Sequence, residues 1–200
     1  MPNELMPRVV MPRVLMIDNV DSFTFMLVDY LRVAGAEVTV ARNDAVSVDQ
    51  AVGHDAVVIS PGPGAPADAG QSVAIAAACV AAHVPLLGIC LGHQALALAC
   101  GSTVERCPPI HGKVASVSHD ASGLFAGLPS PFNATRYHSL SVPDPHPPLV
   151  ANGWSMEGTV MAMRHVEAPA HGLQFHPESV ASQHGRAMIA AFLGEVAAKA

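Results

Sequence analysis

Cys90 stands between two glycines, in the stretch "GICLG" at positions 88–92. Its spacing is the thiol form of the G-x-S-x-G turn, where a nucleophile occupies a strained bend between a strand and a helix. The glycines lack Cβ atoms, so the strand and the helix can close around the bend. The amino end of the helix would direct N–H groups at the sulfur and favour the thiolate. We therefore predict that Cys90 is a nucleophile. The other cysteines lack these flanks and are predicted to be ordinary core thiols: Cys79, Cys100 and Cys107.

The stretch "QFHPES", 174–179, offers a base for this nucleophile and a group to orient the base. Pro177 disfavours a helical conformation at His176. Residues 176 and 178 can then project to the same side, as alternate residues of a strand do. His176 would carry the proton, and Glu178 would fix the histidine tautomer and stabilise the imidazolium. The sequence thus predicts a Cys90-His176-Glu178 triad.

The stretch "SPGPG", 60–64, matches neither a Walker loop nor G-x-G-x-x-G, so it does not favour nucleotide binding. Two glycines stiffened by prolines make a tight loop with exposed N–H groups. Such a loop could form half of an oxyanion hole, with the Leu91 N–H as the other half. Considered alone, the stretch is explained equally well by a plain Pro-Gly turn.

Strand and helix signals alternate in the first half of the chain and would position these loops. Apolar runs predict strands in "RVLMI", "EVTVAR", "DAVVIS" and "VPLLGI". Helices are predicted over 71–83 and 91–100, and Ser22 is placed to cap an earlier helix that Gly35 ends. The alternation implies βαβ crossovers, so we expect an α/β fold with a mostly parallel central sheet flanked by helices. Ligands bind at the carboxyl ends of such strands, where these loops lie.

The second half of the chain is predicted to contain mostly short strands, and no linker separates it from the first half. Shorter strands are predicted in "KVASVSH", "NATRYHSLSV", "TVMAMRH" and "HGLQFH". A last amphipathic helix is predicted to begin near Ser182. We expect one domain over 13–200, preceded by a flexible leader, 1–12, that contains the repeated "MPRV".

The composition excludes several classes of function. Half of the 200 residues are apolar, 13% are charged and the net charge is −6, which argues against a nucleic-acid or membrane surface. The four cysteines show no zinc-binding spacing, so no metal site is predicted and a reducing compartment is favoured. The apolar run 73–92 is interrupted by His83 and Pro85, so it fits a core helix and strand better than a membrane span. We expect a soluble, cytoplasmic protein.

The motifs "MIDNVDSFT", "SPGPG", "GICLGHQ", "HGK", "RYHSL" and "QFHPES" occur in one order along the chain. In type and order they resemble the class I (triad) glutamine amidotransferase domain, which has a flavodoxin-like α/β fold. The motifs "IDNVDSFT", "HGK" and "RYHSL" narrow the resemblance to the small subunit of anthranilate synthase or of aminodeoxychorismate synthase.

The resemblance implies a reaction, a partner and a set of binding residues. Cys90 would attack the side-chain amide of glutamine, and the ammonia released would pass to a separate synthase subunit that aminates chorismate. It implies no cofactor on this chain, with Mg²⁺ expected on the partner synthase subunit. The residues that would line the oxyanion and glutamine pocket are Gly62, Pro63, Gly64, Leu91, Gln94, Ser139 and Leu140.

Three alternatives stay open. The chain could serve a different synthase, or it could be a catalytically silent subunit that keeps the fold for docking. A flavodoxin-like cofactor binder is a third possibility, but its loops should offer a phosphate cradle, and none is convincing here.

Overall fold

The computed structural model describes residues 11–199, which form nine strands and five α-helices. The strands are β1 (Arg13–Asp18), β2 (Glu37–Arg42), β3 (Ala56–Ile59), β4 (Leu86–Ile89), β5 (Glu105–His119), β6 (Phe132–Ser141), β7 (Leu149–Ser155), β8 (Val160–His165) and β9 (Ala170–Leu173). The helices are α1 (Thr24–Val33), α2 (Val48–Val52), α3 (Ser72–Ala81), α4 (Leu91–Ala99) and α5 (Gly185–Lys199). Residues 1–10 of the predicted leader lie outside the described residues.

One sheet runs through the molecule in the order β2-β1-β3-β4-β9-β8-β7-β5-β6. The first five strands are parallel and form the sheet that the sequence predicts. Alternate residues of β1 face opposite sides: Met16 packs in the core layer of α1 and α5, and Ile17 in that of α2, α3 and α4. Burial on both faces explains why these strands are apolar throughout. The predicted α/β class is confirmed.

The remaining strands are antiparallel and curl away from the parallel half. The edge strand β6 turns back toward the carboxyl end of β9, where the His176 N–H donates to the Thr135 carbonyl at 3.0 Å. This bridge brings the distal edge of the sheet against the loop that follows its central strand. The curl therefore places β6 over the carboxyl ends of the parallel strands.

Ser22 does not cap α1, contrary to the prediction. Phe23 occupies the cap position without a side-chain hydrogen bond. Two aspartates instead stabilise the start of the helix. Asp21 accepts from the Phe23 N–H at 2.8 Å, and Asp18 accepts from the Thr24 hydroxyl at 2.8 Å. Their carboxylates reach donors around the start of the helix, whereas the Ser22 side chain is exposed.

Two short elements were not predicted, and one helix begins later than expected. Helix α2 has five residues, too few to show a helical period. Strand β7 contains Asn152-Gly153, a pair typical of turns, which here lies at a register shift. Helix α5 starts at Gly185 because the Ser182 hydroxyl is engaged by the His176 carbonyl. The five apolar residues predicted for its buried face are buried: Met188, Ile189, Phe192, Leu193 and Val196. Across residues 11–199, the helices are too short or too polar to cross a bilayer.

Candidate active site

Cys90 occupies the bend between β4 and α4 with φ +52° and ψ −99°. A residue with a Cβ atom rarely adopts a positive φ, and such strain persists only where the surroundings enforce it. Here the Cys90 N–H donates to the Leu173 carbonyl at 2.7 Å, and the Cys90 carbonyl accepts from the Gln94 N–H at 3.1 Å. The structure therefore contains the strained strand-to-helix turn that the sequence predicts.

The glycines on either side of Cys90 are required by close backbone contacts. A Cβ atom on Gly88 would lie 2.3 Å from the Gly92 carbonyl oxygen. A Cβ atom on Gly92 would lie 2.3 Å from the Ile59 carbonyl oxygen on the neighbouring strand β3. Since these contacts are with backbone, a larger residue at either position would force the bend itself to move.

His176 and Glu178 form a buried pair directly after β9. The His176 Nδ1 and Glu178 Oε1 atoms are 2.6 Å apart, with side chains 2% and 0% exposed. Thr135 and Ser182 fix the backbone of His176 on its two sides, through its N–H and its carbonyl. The two side chains meet as predicted, but through a turn rather than the strand-like backbone that the sequence predicts, because the Ser179 N–H donates to the His176 carbonyl at 3.2 Å.

Opposing influences act on the pKa of His176. Burial lowers the pKa of His176. Interaction with a Cys90 thiolate and with the Glu178 carboxylate raises this pKa by a larger amount, so the net shift is upward. The ring is close enough to Cys90 for this effect, although Nε2 makes no hydrogen bond of good geometry with any residue in 11–199. Loose contacts of this kind are common in active sites without substrate. The pair is arranged to hold an imidazolium beside a thiolate.

Two aromatic rings enclose His176. The ring centroids of Phe23 and Tyr137 lie 5.4 Å and 5.1 Å from that of His176, in edge-on contacts. The Tyr137 carbonyl is also 3.7 Å from the Cys90 sulfur. Neither aromatic residue was predicted to belong to the site, although both lie within quoted motifs, "MIDNVDSFT" and "RYHSL". Their contact with the imidazole keeps water away from one side of it.

A cavity of about 170 Å³ opens at Cys90. Its lining contains Cys90, Tyr137, His138 and all seven residues predicted for the oxyanion and glutamine pocket: Gly62, Pro63, Gly64, Leu91, Gln94, Ser139 and Leu140. A larger cavity of about 500 Å³ lies between β5, the Arg136 side chain and the turn after β7. The smaller cavity is the one that adjoins the thiol.

Comparison with known proteins identifies the family. The sequence profile described as "Glutamine amidotransferase class-I" matches residues 15–196. The chain belongs to the class-I glutamine amidotransferase family. It is 49% identical over 188 residues to anthranilate synthase component 2 of Mycobacterium tuberculosis, covering 90% of this chain and 81% of that one. It is 43% identical over 185 residues to aminodeoxychorismate/anthranilate synthase component 2 of Bacillus subtilis, covering 90% and 95%.

Among solved structures, the fold is similar to that of a putative GMP synthase protein from Thermoplasma acidophilum. The TM-score is 0.86 at 25% identity, with coverage of 95% of this chain and 96% of that one. The predicted class I glutamine amidotransferase-like architecture is therefore confirmed. The chain is an enzyme of this family.

Asn19 positions the amidotransferase loop "SPGPG". Its backbone N–H donates to the Ser60 hydroxyl and its side-chain amide to the Ser60 carbonyl, each at 2.9 Å. Its Oδ1 accepts from Asn43 and from Ser72. A Cβ atom on Gly62 would lie 2.5 Å from the Asn19 Cβ, so the loop can sit against Asn19 only with glycine there. Asn19 lies within the quoted motif "MIDNVDSFT", but the sequence analysis gave this residue no role.

The wall of the amidotransferase pocket opposite the loop contains a histidine held neutral. His138 donates from Nδ1 to the Leu140 carbonyl at 2.9 Å and accepts at Nε2 from Arg136 at 3.1 Å. Burial, together with the charge of Arg136, lowers the pKa of His138 to about 4. The Leu140 carbonyl also accepts from the Gln94 side chain at 3.1 Å, so both of its lone pairs are engaged.

The other three cysteines of this amidotransferase differ from one another. Cys79 is a buried core residue, as predicted, and burial raises the pKa of its thiol to about 12. Cys100 is only partly buried, and burial raises its pKa as well. Cys107 is not a core residue: it is partly exposed, and its sulfur lies 3.6 Å from His138 Nδ1. The prediction for Cys107 fails because the long strand β5 carries it to the wall of the larger cavity.

Proposed function

We propose that this chain is the glutamine-hydrolysing subunit of a chorismate-aminating synthase, with Cys90, His176 and Glu178 as its catalytic triad. The observation that carries the proposal is a thiol on a strained bend beside a buried His-Glu pair with a 2.6 Å hydrogen bond. An inert core cysteine needs neither feature. The family and the names of its relatives support the same reaction.

The first half of the reaction forms a thioester. The Cys90 thiolate attacks the side-chain amide carbon of glutamine, and the carbonyl oxygen takes the negative charge. N–H groups of Leu91 and of the loop with Gly62 and Gly64 would stabilise this oxyanion, and each such donor is typically worth roughly 10²- to 10³-fold in rate. When the intermediate collapses, the carbon–nitrogen bond breaks, and His176 gives its proton to the departing ammonia.

The second half restores the thiolate. Neutral His176 removes a proton from water, whose oxygen attacks the γ-glutamyl thioester. The carbon–sulfur bond breaks, the product leaves as glutamate after its new carboxyl group loses a proton to solvent, and the imidazolium again faces the thiolate. Glu178 holds the same histidine tautomer in both halves and stabilises the imidazolium without itself taking the proton.

The 170 Å³ cavity fits one small amino acid, which supports glutamine as the substrate. Gln94 and the backbone of Ser139 and Leu140 would contact its polar groups, and Pro63 would stiffen the loop opposite them. The missing hydrogen bond at His176 Nε2 supports a further step, in which docking of the synthase subunit tightens the contact with Cys90.

The relatives are named for anthranilate synthase, for aminodeoxychorismate synthase, or for both. The proposal therefore includes either chorismate-aminating subunit as partner, because the product is decided in that subunit's own site. We propose no cofactor for this chain, expect Mg²⁺ only on the partner synthase subunit, and expect the complex in the cytoplasm.

The test is glutamate release from glutamine by this chain alone and with each candidate synthase subunit plus chorismate. We expect release that increases when a partner binds. Stimulation by one partner would name the pathway, and stimulation by both would identify a shared subunit. No glutamate under any of these conditions would overturn the proposal and favour a silent docking subunit.

A further inference from the structure

Gln174 is fully buried one residue beyond the end of β9, and its side chain bridges Cys90 and Gln94, two residues that line the 170 Å³ cavity. Its Nε2 atom donates to the Cys90 sulfur at 3.6 Å, and its Oε1 atom accepts from Gln94 Nε2 at 3.1 Å. The side chain is 0% exposed, so both contacts form away from water. No sequence signal singled out this residue beyond its place in "QFHPES".

The orientation of the Gln174 amide is fixed through Gln94 by the Leu140 carbonyl. A backbone carbonyl can only accept, so Gln94 must turn its NH₂ group toward the Leu140 carbonyl, 3.1 Å away. The same NH₂ group then has its second hydrogen available for Gln174 Oε1. Rotating the Gln174 amide by half a turn would place two NH₂ groups against each other and an oxygen against the sulfur. Its NH₂ group therefore faces Cys90.

The Leu140 carbonyl is itself held in place. His138 donates to it from Nδ1, and this tautomer is set because Nε2 accepts from Arg136. A guanidinium has no acceptor, so Arg136 fixes the tautomer of His138, whereas the Leu140 carbonyl fixes the orientation of the Gln94 amide and, through it, that of Gln174. The series ends in one N–H group directed at the reacting sulfur.

We propose that Gln174 is a further catalytic residue, which stabilises the Cys90 thiolate by hydrogen bonding and holds Gln94 in its glutamine-binding orientation. This inference rests on the proposed function. Hydrogen bonds to a charged group are stronger than those to a neutral one, so the contact favours the thiolate over the thiol. The same donor stabilises the sulfur again when the thioester breaks.

The test compares Gln174→Met and Gln174→Glu with unsubstituted protein. Methionine keeps the size of the side chain but cannot donate, and glutamate places negative charge against the sulfur. The readout is the pH dependence of iodoacetamide labelling at Cys90, followed by mass spectrometry of the peptide that contains it. We expect the labelling midpoint to rise by about one to two pH units for methionine, and by more for glutamate. Gln71→Met, at an exposed position before α3, is the control and should not shift it.

A Gln174→Met midpoint equal to that of the unsubstituted protein would overturn the inference, because a packing role is preserved by methionine. If the unsubstituted protein releases glutamate from glutamine, that labelling result overturns only the role of Gln174 and leaves the proposed function intact. If the unsubstituted protein releases no glutamate, the proposed function itself is contradicted. A second measurement needs no variant of Gln174. Its side-chain NH₂ resonances should shift with pH at the labelling midpoint of Cys90, and should lose that shift in Cys90→Ala. A pH-independent resonance would equally overturn the inference.

Discussion

Two buried histidines lie close to Cys90 and respond to burial in opposite ways. His176, after β9, is 2% exposed, and its pKa is raised. His93, on the first turn of α4, is 0% exposed, and burial lowers its pKa to about 4. Removal from water disfavours the charged ring at both positions. The difference must come from what surrounds each ring.

His176 has a carboxylate 2.6 Å away and a thiol beside it, which together outweigh the effect of burial. His93 packs against Gly172, where a Cβ atom would lie 2.6 Å from Nδ1. The Gly172 backbone makes only a weak polar contact that falls short of hydrogen-bond geometry, and neither ring nitrogen has a partner within 11–199. A buried histidine near a nucleophile is therefore equipped for proton transfer only when charged partners are buried with it.

Removing the thiol should have the largest effect. Cys90→Ala should abolish glutaminase activity, because no other group can form the thioester, while a docked synthase subunit should still use added ammonia. The loss of the thiolate should also lower the pKa of His176, measurable by NMR titration of its ring. Cys100→Ala, at a partly buried thiol on the far end of α4, is the control. Glutamine-dependent product at an unchanged rate in Cys90→Ala would contradict the nucleophile assignment.

The next largest effect on glutaminase activity is expected at the His176-Glu178 pair, where substitution of the histidine should cost more activity than substitution of the glutamate. His176→Ala removes the proton carrier, whereas Glu178→Gln disturbs its orientation and charge, so we expect Glu178→Gln to keep roughly tenfold to a hundredfold more activity. Glutamate release at saturating glutamine measures both. Equal loss in the two variants would show that the role of Glu178 has been misjudged.

The chain provides a matched control for this substitution. Glu195 on α5 forms a second pair with His171 of β9, with 2.8 Å between Glu195 Oε2 and His171 Nε2. Neither residue of this pair lines the 170 Å³ cavity, so Glu195→Gln should leave glutaminase activity nearly unchanged.

The smallest effect on activity is expected at His93, where stability should change instead. Methionine has a similar volume and no unpartnered polar atoms, so His93→Met should raise the free energy of unfolding by about 1 kcal/mol at pH 7. The His93 pKa is about 4 when folded and about 6.5 when unfolded, so its contribution is complete above pH 6.5 and declines as the pH falls toward 4. The advantage of the variant should therefore grow by about 2 kcal/mol between pH 7 and pH 5. Urea unfolding at the two pH values measures it; an advantage that shrinks on acidification would contradict the assignment.

The sequence by itself determined the parts of this protein that local patterns encode. The bend at Cys90 follows from glycines two residues away on either side, and the His176-Glu178 pair from a proline that keeps His176 out of a helix. The parallel half of the sheet follows from apolar runs alternating with amphipathic helices. In each case the interacting residues are close in sequence, so the type and spacing of a few residues suffice.

Only the tertiary structure decided which distant residues complete the site. Gln174 reaches Cys90 across 84 positions and Gln94 across 80, and Asn19 reaches Ser60 across 41. The antiparallel strands bring β6 over the thiol through a bridge between Thr135 and His176. No hydrophobic periodicity in the sequence predicts this bridge. Polar contacts of this kind depend on how the sheet curls, and the curl is set by packing of the whole chain rather than by any one segment. Glycine spacing therefore predicted the strained bend at Cys90, whereas the curl of the sheet determined which distant groups surround it.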